Sequence, residues 1–150
     1  VAGIDALVVP YKGSPAVLTA LRSGEIDLAF EILGPMLPQV SAGVVKALAV
    51  SSDKRNPVLP AVPTVMESGV PNYNVASWNA IAAPAGTPPA VLQQLNKAVQ
   101  DAVASPAVQD KLGKAGMRLG SSTPAEMQAL LVGEIKRWGE VIRAAKIDPE

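Results

Sequence analysis

The sequence predicts an α/β fold, a mostly parallel sheet flanked by helices, and three observations predict it. Short apolar runs alternate with helix-like segments over the first fifty residues, in the order β-α-β-α-β. The connections are short, so each return implies a right-handed crossover between parallel strands. Hydrophobic residues make up 49% of the chain but aromatics only 3%, so Ala, Val, Leu and Ile must fill the interior, as they do where helices pack on sheets.

The elements follow in order. Ala6 to Pro10 (ALVVP) is a short β-branched apolar run and reads as a buried strand. Gly13-Ser14-Pro15 then starts a helix over Ala16 to Arg22, with Ser14 as N-cap and Pro15 at the first helical position. Gly24 closes that helix. Ile26 to Phe30 (IDLAF) is a second strand. Gly34-Pro35 opens a second helix, through Ala42, which Gly43 closes. Val45 to Val50 (VKALAV) is a third strand.

Residues 51 to 63 are polar and Pro-rich and read as a loop, with Arg55 as a loop-anchoring donor. Thr64 and Glu67 form a capping box on a helix of one to two turns that stops at Gly69. Asn74 to Ala82 (NVASWNAIA) reads as a fourth strand. At Pro84-Ala85-Gly86-Thr87-Pro88 the character changes, and the rest is mostly helical. Val91, Leu92, Leu95, Val99, Ala102 and Val103 recur at helical spacing. Ser105-Pro106 starts a shorter helix, Met117 to Leu119 is a short strand, and Thr123 with Glu126 is a second capping box on a final helix. Trp78 and Trp138 read as core residues. The organisation is thus a first part, residues 1–83, and a helical part, residues 84–150.

Composition narrows the chemistry. Thirteen basic residues balance thirteen acidic ones. That excludes the charge surplus by which proteins hold nucleic acid or anionic membranes. With no His and no Cys, the chain lacks imidazole bases, thiol nucleophiles and disulfides, and the ligands of most zinc, haem and iron–sulfur sites. No cofactor or metal is expected. No apolar run approaches the roughly 20 residues that span a bilayer. The chain opens at Val1, directly before a strand-like run, which reads as a fragment or processed product.

In parallel sheets, ligands bind beyond the C-terminal strand ends, near the following helix starts. The first strand end offers Tyr11, Lys12, Gly13 and Ser14, the second Phe30 and Glu31, and the third Ser51 and Ser52. Gly13 lets a backbone approach closely, and main-chain amides at a helix start suit an anion. The helix starts at Thr64 and Thr123 carry their own Glu three residues on, whereas those at Ser14 and Gly34 do not; Thr87 and Ser105 also lack it, so the pattern permits an anion site without singling one out. The plain reading of Gly13-Ser14-Pro15 is a turn with a helix cap, since it is neither a P-loop nor a GxGxxG. Likewise Lys12 reads as a solvated loop charge, and Glu31 as a satisfied polar residue or a pair for Lys12.

These motifs resemble a known family, the Bug-type periplasmic solute-binding proteins of tripartite tricarboxylate transporter systems. The resemblance is carried by Val9-Pro10-Tyr11-Lys12-Gly13-Ser14, Gly24-Glu25-Ile26-Asp27-Leu28 and residues 42–50 (AGVVKALAV). It extends through Leu59-Pro60-Ala61-Val62-Pro63-Thr64 with Glu67, Gly69 and Pro71, then Trp78 and residues 83–88 (APAGTP). It implies a type II periplasmic-binding-protein-like lobe, part of a two-lobed protein of about twice this length. Residues 1–83 would be the second lobe, ending in the return crossover strand. Residues 84–150 would pack partly on the first lobe.

The resemblance further implies a small carboxylate (a di- or tricarboxylate, an acidic amino acid or an aromatic acid) held in an interlobe cleft by amides, hydroxyls and waters. Its partner would be the membrane permease, its location periplasmic, its activity binding without catalysis, and its full-length state monomeric. Tyr11, Lys12, Gly13, Ser14, Phe30 and Glu31 are the implied ligand contacts. Glu31 stands where the family usually shows Asp, and Ala80 where it often shows Gly. For the fragment, an apolar face on Leu92, Leu95, Val99, Leu131 and Trp138 favours self-association. Two rivals share the architecture: the effector-binding half of a transcription regulator, and a doubly wound enzyme domain working through carboxylates such as Glu31.

Overall fold

The computed structural model describes residues 6–147. Five helices follow one another: α1 (Ser14–Ser23), α2 (Leu33–Ser41), α3 (Pro89–Ala104), α4 (Pro106–Lys114) and α5 (Pro124–Ala145). They divide between two compact units. The first runs from the start of the described chain through Ile81 and takes up Asp110–Arg118; the second comprises Ala82–Gln109 and the chain from Leu119 onward.

The first unit is built on α1 and α2, which pack together. Its buried apolar side chains are Val17 and Ala20 on α1 and Met36 on α2. Gly13, rather than Ser14, is the N-cap of α1, because its φ of 90° lies where a side chain is strained; Ser14 and Pro15 are the first helical residues. At the other end Gly24 is left-handed, and the Glu25 N–H donates to the Ala20 carbonyl at 3.0 Å, which turns the chain sharply into the next segment. Helix α2 starts at Leu33 with Ile32 as N-cap, not at Gly34, and tolerates Pro38 in its second turn.

The segments read as strands do not form a sheet among the described residues. Among the described residues there is no β-ladder, only one isolated parallel bridge between Val50 and Thr64. Residues 6–10, 26–30, 74–82 and 117–119 contain no β-paired residue, and of 45–50 only Val50 is paired. The physical reason lies in their surroundings. A strand needs a neighbour on its hydrogen-bonding edge and a cover on its apolar face. Here Leu7 is 92% exposed, and Val8, Leu28 and Phe30 are comparably open. The β-branched pattern is present, but its apolar side chains are largely uncovered among the described residues.

Where a neighbour exists, at Val50, a single parallel bridge forms, and its partner is Thr64, which the sequence presents as a helix start. The Val50 N–H donates to the Pro63 carbonyl and the Val65 N–H to the Val50 carbonyl, both at 2.9 Å. Thr64, 2% exposed, sits at this bridge. Its hydroxyl accepts from the Glu67 N–H at 3.0 Å, and its own N–H donates to the Glu67 carboxylate at 2.7 Å. The capping box is therefore made, but it caps a run of turns rather than a helix before Gly69. Arg55 anchors the loop as read, donating to Glu67 at 2.9 Å and to the Pro60 carbonyl at 3.1 Å.

Two long-range contacts tie residues 110–118 to this loop. Asn56, buried, donates from Nδ2 to the Gly116 carbonyl at 3.0 Å, while its Oδ1 accepts from the Val58 N–H. Arg118 pairs with Asp53 at 2.8 Å. Gly116 has a φ of 81°, and a Cβ there would stand 3.1 Å from Leu33 Cδ2, so the close approach to α2 requires glycine.

The second unit is helical. Thr123 and Glu126 complete both halves of the capping box that starts α5. The Asn96 side chain on α3 donates to the Ser122 carbonyl at 2.8 Å. Neither α3 nor α5 has a buried residue. Trp138 and, in the first unit, Trp78 are open to solvent rather than in a core. The Trp138 indole donates to Glu134 at 2.8 Å, and Arg137 stands 5.4 Å from its ring centroid. No helix among the described residues is long and apolar enough to cross a membrane.

The bonds from Arg55 and then the Thr64 amide hold the Glu67 carboxyl below its ordinary value. A depressed carboxyl stabilises above its unfolded value, about 4.3, and loses that contribution as pH falls through the lower folded value. Thermal stability should therefore fall on acidification below about pH 4.3, and Glu67→Gln should flatten that part of the profile. Thr64→Ala should lower stability at neutral pH by about 1–2 kcal/mol in urea titration.

Candidate functional site

The site is built around the turn that starts α1. Gly13 N–H donates to the Tyr11 carbonyl at 3.0 Å, which folds residues 11–13 tightly. The Gly13 carbonyl then accepts from the N–H groups of Ala16 and Val17. Pro15 has no N–H. The Gly13, Ala16 and Val17 amides are thus engaged within the turn, while those of Lys12 and Ser14 make no bond there.

Two carboxylates occupy the loop's hydroxyls. Ser14 Oγ donates to Glu31 Oε2 at 2.7 Å, in a partly buried setting. Tyr11 OH donates to Glu25 Oε1 at 3.2 Å. Glu31 therefore supplies negative charge at the start of α1, the role that a Glu three residues on plays at Thr64 and Thr123. It pairs with Ser14 and not with Lys12. A contact between positions 14 and 31 has no local periodicity to announce it, so the sequence shows a cap lacking its acid where the fold brings one from a distance.

The structure thus joins Ser14 and Glu31 directly, with Lys12 and Gly13 exposed in the same turn and Phe30, 70% exposed, beside Glu31. Glu25, which sequence reasoning left out, belongs with them through Tyr11. Ser51 and Ser52 make local contacts: the Ser51 carbonyl accepts from the Val75 N–H, and Ser52 Oγ donates to the Lys54 carbonyl. Partial desolvation first, then the bond to Glu25 and its charge, raise the Tyr11 phenol above its ordinary value. Among the described residues no group of three or more acidic, His or Cys side chains could hold a metal ion. A shallow, open depression along α3 is lined by Gln93, Gln94, Lys97 and Asp101. Lys97 and Asp101 pair with each other there, as neighbouring charges on one helix do.

The profile of the tripartite tricarboxylate transporter family receptors matches residues 1–147. The chain belongs to this family. The Bug-type resemblance is thereby confirmed, and solved structures extend it. A Rhodopseudomonas palustris protein, Rpa4515 with adipate, is 38% identical, with a TM-score of 0.87 over 99% of this chain and 50% of its own. The periplasmic binding protein BugD is 32% identical, with a TM-score of 0.82 over 99% of this chain and 50% of its own. MatC from Rhodopseudomonas palustris with bound malate is 32% identical, with a TM-score of 0.76 over 93% of this chain and 48% of its own. The chain spans about half the length of each.

The Tyr11–Glu25 bond is open to direct titration. In ultraviolet titration, one of the two tyrosines should ionise above the ordinary value of about 10. Glu25→Gln should bring that step down by removing the charge, leaving only a neutral amide oxygen to accept. Two steps at the ordinary value, unmoved by the substitution, would contradict the geometry.

Proposed function

We propose that this chain is one ligand-binding lobe, with its trailing helices, of a periplasmic receptor that captures a small carboxylate for a tripartite tricarboxylate-type transporter. Residues 1–83 form the lobe, and residues 84–150 reach toward a first lobe of comparable size. One observation carries the reading: the backbone fits that of Rpa4515, named with adipate, over nearly the whole chain at 38% identity. MatC, named with malate, points to the same ligand chemistry.

The residues at the start of α1 suit binding without turnover. Tyr11, Lys12, Gly13, Ser14, Phe30 and Glu31 offer an ammonium, two hydroxyls, an aromatic surface and a carboxylate. Lys12 and bridging waters satisfy the ligand carboxylate on this side, with water replacing direct donors at small cost. Exposed Phe30 covers the ligand's carbon chain. The first lobe closing over this face excludes solvent, and the closed form is what the membrane permease reads.

The test is thermal unfolding of the receptor carrying this chain, with adipate, malate and citrate added singly. At about a hundred times its dissociation constant a ligand stabilises by about 2.7 kcal/mol, a rise easily read in the unfolding temperature. At least one acid should produce a saturable rise. No rise with any small carboxylate would overturn the receptor reading.

A further inference from the structure

We propose that Glu31 is a specificity-determining residue: it makes this face of the site an acceptor, so the favoured ligand carries a hydroxyl or ammonium group beside its carboxylate. The inference rests on the receptor reading above and adds the ligand subclass. Its basis is a count of protons. A hydroxyl has one hydrogen to donate and lone pairs to accept with. The Ser14 hydrogen is committed to Glu31 at 2.7 Å, and the Tyr11 hydrogen to Glu25 at 3.2 Å. What both hydroxyls then present is oxygen lone pairs, and both glutamates add further acceptor sites.

On the main chain the Gly13, Ala16 and Val17 N–H groups are engaged within the turn and Pro15 has none, which leaves the Lys12 and Ser14 amides, with the Lys12 ammonium, as the donors for a ligand carboxylate. Glu31 also brings a negative charge to the helix start, where a ligand carboxylate would otherwise settle. An unsubstituted dicarboxylate meets like charge and acceptor-facing oxygens here. A 2-hydroxy or 2-amino acid places a donor against Glu31 and Ser14 while its carboxylate turns toward Lys12. A site that hydrogen-bonds a ligand's donor rejects the analogue lacking it far more strongly than an apolar pocket would.

Succinate and malate test this, since they differ by one hydroxyl. Calorimetric titration of the whole receptor should show malate binding at least about tenfold tighter than succinate, the ratio expected for one unmade bond to a charged acceptor. Glu31→Gln should lower that ratio toward one, by weakening malate and strengthening succinate. Glu31→Asp, which keeps the carboxylate, should leave malate preferred. Ser14→Ala, which deletes the shared oxygen, should reduce the preference even if Glu31→Gln folds poorly. Equal binding of both acids by the unaltered receptor, as a bridging water would allow, overturns this inference and leaves the receptor reading standing. A preference that survives both Glu31→Gln and Ser14→Ala also overturns it. Failure of every acid to bind overturns the receptor reading as well.

Discussion

The first unit depends on the two hydrogen bonds of Val50. Its N–H reaches Pro63 and its carbonyl accepts from Val65, closing residues 51–63 into a loop and placing Thr64 beside it. Everything that holds the loop follows from that closure. Thr64 is buried against the bridge, Glu67 turns back onto the Thr64 amide, and Arg55 spans from Glu67 to Pro60. Asn56 and Asp53, carried on the closed loop, then bind Gly116 and Arg118. Asn56 is buried with donor and acceptor both matched, so losing either partner would leave a polar group without water, which costs more than an exposed bond returns. The surface ion pairs contribute less, because solvent screens them.

The same constraint explains why extended segments elsewhere stay unpaired. Backbone donors and acceptors need partners, and apolar faces need cover. Val50 has both, whereas Leu7, Val8, Leu28 and Phe30 face outward among the described residues. The relatives of known structure are about twice as long and match this backbone closely.

Helix limits were legible because their signals are local. Pro at a helix start, Gly after its end and a Thr-Glu box each act within a few residues, and α1, α3, α4 and α5 lie close to where those signals put them. Strand segments were legible only as pattern, since pairing is a property of two segments and the sequence shows one at a time. The site divides in the same way. The turn at Tyr11 to Ser14 can be read from its Gly, Ser and Pro, but the acids that occupy its hydroxyls arrive from positions 25 and 31. That non-local step commits both hydroxyl hydrogens of the turn to carboxylates. Family membership was legible because many short motifs stand in one order over almost the whole chain.

The central claim is that ligand meets this chain at the start of α1 and the end of the second extended segment. Backbone amide spectra of the receptor, recorded through a titration with malate, test it most directly. The account predicts saturable shifts centred on Tyr11 to Ser14 and on Phe30 and Glu31, with little change along the outer face of α3 at Gln93 and Lys97. Saturable shifts confined to α3 or α5, with the turn at Gly13 unmoved, would contradict it.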